Sequence, residues 1–166
     1  MTTFSSRNRS KARVPARRDA IWEILSQPDS LAALTPLVKG IEADGDTWCW
    51  QLAGISALGV SVAPSFTEAM SFEEGRHIGF RHDPPDKNGE RAGANGNYDL
   101  RDAADGATEL AIDITICVEL PLPRLSRRAV EKVMATTMAK TGDAFARNLY
   151  QRLGLDPSRA SESVIA

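Results

Sequence analysis

Three polar residues in this chain combine proton-transfer chemistry with a place in an apolar pattern. Glu68 falls in step with Phe66, Met70 and Phe72, His82 with Ile78 and Phe80, and Tyr98 with Leu100. In extended backbone, residues two apart face the same side, so parity turns all three toward a core. A carboxyl and an imidazole facing an apolar space perturb each other's proton affinity and can act as an acid/base pair. A phenol there can orient a ligand carbonyl. The stretches carrying Glu68 and His82 are joined by the turn Glu73-Glu74-Gly75. Matching their apolar faces needs an even register, which puts Glu68 either directly opposite His82 or diagonal to it. Plainer readings compete. His82 stands at a strand end beside Asp83-Pro84, within reach of water. A bulge between Val60 and Phe72 would turn Glu68 outward, and Tyr98 also fits a core aromatic with a bonded hydroxyl.

Other chemistries find no support. His77 and His82 are five apart on one strand, so parity points them to opposite faces and they cannot share an ion. Neither Cys49 nor Cys117 has a His or Cys at ligand spacing, so no metal site is expected. Gly93-Ala94-Asn95-Gly96 lies on a strand with no helix behind it and is no phosphate loop. No Ser sits in a nucleophile-elbow pattern, and no cofactor is expected. A net charge of −2 gives no argument for nucleic acid. The N-terminus has basic residues but no apolar run behind them, and no window approaches a membrane span. Two cysteines far apart read as free thiols in a reduced compartment, hence a cytoplasmic protein.

The elements that position these residues follow from periodicity. Thr3 to Val14 alternates, with Arg7, Arg9, Lys11 and Arg13 on a wet face and Ser6, Asn8 and Ser10 on the other. A short helix over Arg17 to Leu25 buries Ile21, Trp22 and Leu25. A second starts at Pro28-Asp29-Ser30, capped by Asp29 or Ser30, and stops before Pro36. Strands follow over Leu37 to Ala43 and Thr47 to Ala53, around the turn Asp44-Gly45-Asp46. Gly54 to Gly59 reads as a looser segment. Val60 to Phe72, His77 to His82, Arg91 to Arg101 and the run Leu110, Ile112, Ile114, Ile116, Val118 supply further strands. The breakers Pro84-Pro85 and Asn88-Gly89 fall in the loop between two of them.

Leu125 to Leu153 closes the chain as one long helix. Val130, Met134, Met138, Thr141, Phe145 and Leu149 form its stripe. Met, Met and Thr stand where a tight core uses Leu and Ile, and Gly142 sits mid-helix. That composition suits either irregular packing or a helix that lines a cavity. The architecture is α+β: about seven antiparallel strands curved around one C-terminal helix, with two short helices between the first two strands. Residues 1–154 read as one domain and 155–166 as a flexible tail.

The same order, with its local sequences, resembles the helix-grip superfamily of START, Bet v 1-like, polyketide cyclase and coenzyme-Q-binding proteins. The resemblance is carried by Val14-Pro15-Ala16 through Ile21-Trp22-Glu23-Ile24-Leu25, by Pro28 through Thr35-Pro36, and by Gly106-Ala107-Thr108-Glu109-Leu110. Leu31 to Gly45, with Tyr98-Asp99-Leu100, looks closest to the carbon monoxide dehydrogenase G-like branch. The resemblance implies a hydrophobic ligand between sheet and helix. It does not imply one chemistry, since members include carriers, cyclases and accessory proteins. The reading favours a carrier of a small hydrophobic molecule (a lipid, polyketide or quinone-like compound) over an enzyme. Its expected lining is Trp50, Phe66, Met70, Phe80, Tyr98, Met134, Met138 and Phe145, although Trp48 and Trp50 suit wall or core as well as ligand contact, with Arg127 near the mouth. An aromatase/cyclase or dehydratase using Glu68, His82 and Tyr98 is the alternative, and an assembly factor the third. Pairing of two chains through an edge strand stays open.

Overall fold

The computed structural model describes residues 1–86 and 89–165. Asn88 of the expected Asn88-Gly89 breaker and the final residue of the tail lie outside the described residues. In chain order the elements are β1 (Thr2–Val14), α1 (Arg18–Leu25), α2 (Pro28–Leu34), β2 (Val38–Asp44), β3 (Thr47–Leu52), β4 (Ile55–Ala57), β5 (Val60–Val62) and β6 (Ser65–Glu73). Then come β7 (His77–His82), β8 (Ala92–Asp102), β9 (Thr108–Leu120) and α3 (Arg127–Arg152). Seven strands form one curved antiparallel sheet in the order β1-β9-β8-β7-β6-β3-β2, and β4 with β5 form a separate hairpin. This is the expected helix-grip architecture.

Local chemistry sets the connections. Asp44 pairs directly with Thr47, so Gly45 and Asp46 make a two-residue turn, and Gly45 takes the positive φ of 58° that such a turn needs. β9 is paired along its length, to β1 on one side and β8 on the other. The basic residues of β1 are met by acids of β9. Arg7 grips Asp113 through two hydrogen bonds of 2.8 and 2.6 Å, and Lys11 reaches Glu109 at 2.9 Å. The Arg7 pair holds Asp113 down at about 2. These pairs are exposed, and they keep the outer face wet rather than add much stability.

The helix is anchored at its two ends. Near its start, Val130 joins Phe4 and Leu120, with Val60, Val62, Leu122 and Met134 packed around them. Near its end, Phe145, Leu149 and Tyr150 join the main core with Ile21, Leu25, Leu31, Ile78 and Leu100. Between Val130 and Phe145 no helix residue is buried.

Some expectations change. The second helix begins at Pro28, with Gln27 in the capping position and no side-chain cap, because proline's fixed φ suits the first helical position. Trp22 is half-buried, set edge-on to Phe72 at 6.3 Å, while Ile24 takes the buried place in α1. The looser segment and the long strand after it divide differently: residues 55–62 form the β4–β5 hairpin, and the sheet strand starts only after Pro64. Leu125 precedes α3, in a 3-10 turn over Arg124–Ser126. The residues after Gly154, expected to be free, also take a definite place. Asp156 caps a 3-10 turn over Pro157–Ser163, Ala160 is buried, Ser163 is hydrogen-bonded to the Tyr150 hydroxyl, and the Ile165 N–H donates to Lys11 O at 2.8 Å.

Two substitutions distinguish the anchored end of α3 from its middle. Leu149→Ala should cost about 2–5 kcal/mol, the range for a filled core site. Met138→Ala, at a half-buried position outside both clusters, should cost under about 1 kcal/mol. Urea unfolding followed by circular dichroism measures both.

Candidate functional site

The inner face of the sheet is built in rows across the strands. Trp48, Glu68 and His82 stand opposite one another on β3, β6 and β7, and Trp50 stands opposite Phe66. Met70, Phe80 and Gly96 form the next row, and Ile78, Tyr98 and Ile112 lie in the one beyond. Trp50 and Phe66 stack at 6.1 Å with planes 12° apart. Phe80 meets Tyr98 at 5.4 Å. Gly96 makes room for Phe80, since any β-carbon there would collide with the ring and with the backbone of Asp113.

Opposite this face the structure thins out. On β9 every residue from Ala111 to Val118 is only half-buried, although the strand is paired on both sides. Ile112, Ile114 and Ile116 therefore face a space that α3 does not fill. Met134 and Met138 are half-buried on the helix above. The inner face of β9 and the middle of α3 are thus only partly covered, a partly open hollow between the filled core at one end and the smaller cluster of Phe4, Leu120 and Val130 at the other. The β4–β5 hairpin leaves the sheet between β3 and β6 and reaches that smaller cluster through Val60 and Val62. It therefore lies at the end of the hollow marked by Val130. Two further clefts lie elsewhere: about 440 Å³ beside Asp29, Thr35, Lys39 and Asn148, and about 490 Å³ beside Arg13, Tyr150 and Arg159.

Glu68 lies among the aromatic walls, with only 1% of its surface exposed. Its Oε2 and the indole Nε1 of Trp50 are buried, and among the described residues neither has a hydrogen-bond partner. Burial pushes the Glu68 pKa up to about 8, and the Trp50 N–H, though it falls short of hydrogen-bond geometry, draws it back only slightly. The carboxyl is therefore mostly protonated at neutral pH and offers an O–H donor. Burial, and to a lesser degree the Glu68 charge, push the Tyr98 phenol well above its ordinary range, so its hydroxyl stays protonated too.

His82 stands directly opposite Glu68 in register, but its ring turns elsewhere. Pairing between β7 and β8 stops at Phe80 and Gly96, and the His82 N–H is taken by the Asn95 side chain at 3.0 Å. Its ring lies over Gly93, which alternates with the buried Ala92 and Ala94 and so faces outward. There Nε2 meets Glu90 Oε2 at 2.9 Å, and Glu90 also accepts from the Thr67 hydroxyl and N–H. Burial alone would raise the Glu90 pKa, but these bonds from Thr67 and His82 outweigh it and the net shift is downward. The expected Glu68–His82 pairing is thus replaced by a Glu90–His82 pair, because the strand end twists where its ladder ends. His77 is likewise engaged outside the hollow, with Nδ1 at 2.6 Å from Asp99.

The expected lining residues Trp50, Phe66, Met70, Phe80, Tyr98 and Phe145 are all buried and belong to the main core, while Met134 and Met138 edge the hollow. Sequence reasoning missed the β9 isoleucines as lining residues and missed Glu90. The isoleucines carry the clearest alternation in the chain, which was signal enough. Glu90 lies in a loop without periodicity. Arg127 lies at the outer end of α3, over the Phe4 ring at 5.7 Å and bonded to Glu131 at 2.9 Å. Among the described residues no three His, Cys, Asp or Glu side chains group as a metal site would require.

Comparison with solved structures agrees with this architecture. A conserved protein from Geobacillus kaustophilus superposes with a TM-score of 0.66 at 17% identity, covering 96% of this chain and 97% of that one. A START superfamily protein from Mycobacterium smegmatis gives 0.64 at 17% identity, over 89% and 97% of the two chains. The fold is START-like. The Zhui aromatase/cyclase of a Streptomyces also has this START-like fold, with a TM-score of 0.59, 16% identity and coverage of 89% and 95%. No family model matches the sequence, and no curated relative does. At these identities the likeness establishes the fold alone.

The Glu68 carboxyl should leave a pH signature. Its folded-state pKa of about 8 lies above the ordinary 4.5. Between those values the folded state keeps a proton that the unfolded chain has released. The contribution is complete below 4.5, is lost as pH rises toward 8, and changes no further above it. The slope should approach about 1.4 kcal/mol per pH unit. Glu68→Gln should flatten it and raise stability at pH 7 by roughly 1–3 kcal/mol, measured by urea melts between pH 5 and 9.

Proposed function

We propose that this protein binds a small, largely apolar molecule, such as a lipid, polyketide or quinone-like compound, in the hollow between the sheet and α3. The observation that carries the reading is the unfilled middle of α3: no buried residue between Val130 and Phe145, above a fully paired β9 whose residues 111–118 stay half-buried. A protein interior is normally packed to crystal density, and a gap framed by Ile, Met and aromatic groups suits an apolar guest. Glu68, Trp50 and Tyr98 add a polar requirement. The indole N–H, the phenol and a protonated carboxyl can all donate, so the guest should carry an acceptor oxygen.

Native mass spectrometry of protein purified from its own host tests the proposal, by showing whether a lipophilic molecule is retained and its mass. Filling the hollow with Met138→Trp should lower retention at least ten-fold while leaving the thermal midpoint within a few degrees. If wild type retains nothing, or the Trp variant retains as much as wild type, the carrier reading fails.

A second reading is favoured by one observation, the carboxyl of Glu68 with a pKa of about 8 beside Tyr98. A group poised near neutrality is suited to general acid/base work, as a polyketide cyclase, aromatase or dehydratase would need. His82, held by Glu90, is better suited to positioning that edge than to proton transfer in the hollow. If Glu68→Gln abolishes turnover of a candidate polyketide at unchanged affinity while His82→Ala keeps it, the enzyme reading replaces the carrier.

A further inference from the structure

Among the described residues no helix is long and apolar enough to cross a membrane, yet one end of the molecule has the features of a surface that rests on one. Leu125 is 97% exposed in the turn before α3, and Leu58 is 54% exposed at the tip of the β4–β5 hairpin. Both flank the same buried cluster. Val60, two residues beyond Leu58, and Leu122, three residues before Leu125, pack against Phe4, Leu120 and Val130. Met1, also exposed, is at this end too, since Thr2 pairs with Leu120 and bonds to Leu122 O at 2.7 Å. Isolated exposed leucines are ordinary. Apolar residues grouped at the tips of separate turns are not, because each could have been polar without loss to the core.

Charge distinguishes the occupant. Arg124 and Arg128 are exposed around these tips, and among the described residues neither forms an ion pair; Arg91 is set off by Glu119 across the ladder and by Glu90 beside it, while Arg127 and Glu131 neutralise each other. This end is therefore cationic on a chain whose net charge is −2. Apolar tips ringed by arginine match the interface of an anionic bilayer, where the leucines enter the acyl boundary and the guanidinium groups meet phosphates. We infer that the end formed by Leu58, Leu125, Arg124 and Arg128 docks reversibly on an anionic lipid surface. The inference rests on the ligand-carrier reading for its purpose: the docked end is the one beside the hollow, so a guest would pass between hollow and lipid.

Flotation with vesicles of phosphatidylglycerol and phosphatidylcholine, against phosphatidylcholine alone, tests the docking. Wild type should bind the anionic vesicles and not the neutral ones, and 0.5 M salt should weaken the binding, since that salt shortens screening to about 4 Å. Leu125→Asp should lower partitioning at least about ten-fold. Arg124→Ala and Arg128→Ala should each lower it about five-fold. These side chains are exposed, so circular dichroism and urea midpoints should not move. Absence of binding, equal binding to neutral vesicles, or binding that Leu125→Asp leaves intact overturns the inference, and capture of a protein partner by this end in place of lipid does the same. Ligand retention is read separately by native mass spectrometry. Retained ligand with no vesicle binding removes the docking alone, and vesicle binding with no retained ligand removes the carrier reading alone.

Discussion

The governing constraint is that one helix of 26 residues must be held against a sheet too broad and curved for it to fill. Apolar contact concentrates where sheet and helix converge, at Val130 and again from Phe145 to Tyr150. Each anchor is close-packed, and the span between them is not. Burial of that kind fixes the ends of a rod while sparing its middle from the tight complementarity that cores require. Methionine at Met134 and Met138 suits this, because a flexible thioether tolerates changing neighbours where a branched side chain does not. Gly142 fits the same logic: a β-carbon there would meet nothing within 4 Å.

Polar groups in the walls follow from the same geometry. A carboxyl as enclosed as Glu68 is expensive unless it is neutral or satisfied. The neighbours Trp50, Phe66 and Tyr98 supply no cation and no bonded donor to hold a carboxylate, so the fold keeps the proton instead. At the rim the solution differs. Glu90 stays ionised through bonds from Thr67 and His82. An acid of the sheet and an acid of the neighbouring loop thus hold opposite protonation states, one set by burial and the other by donors.

Much of this was legible in the chain. Strict alternation places Glu68 and Tyr98 inward and narrows the β6–β7 register to two, of which the one with Glu68 opposite His82 is observed. Alternation says nothing about the last residue of a strand whose partner has departed, and there His82 swung outward to a loop residue, Glu90, that no periodicity marks. The β4–β5 hairpin is hidden because strands of three residues carry too little alternation. The C-terminal segment did carry a sign. Asp156-Pro157-Ser158 is a cap followed by proline in the first helical position, a start signal too short to outweigh its polar composition. The carbon monoxide dehydrogenase-like affinity of Leu31 to Gly45 stays a matter of local sequence, since the architecture is common to several branches.

The seat taken by that last segment has a consequence for association. β1 is a boundary strand of the sheet, and its outer rim offers amide and carbonyl groups to any passing chain. Val164 bridges to Ala12, and the Ile165 amide caps the Lys11 carbonyl. Residues 164 and 165 thereby seal part of this border. A second copy seeking to extend the sheet past Lys11 and Ala12 must first evict Val164 and Ile165. The opposite border, β2, carries an irregularity between Val38 and Gly40 that breaks the even ladder a visiting strand would need.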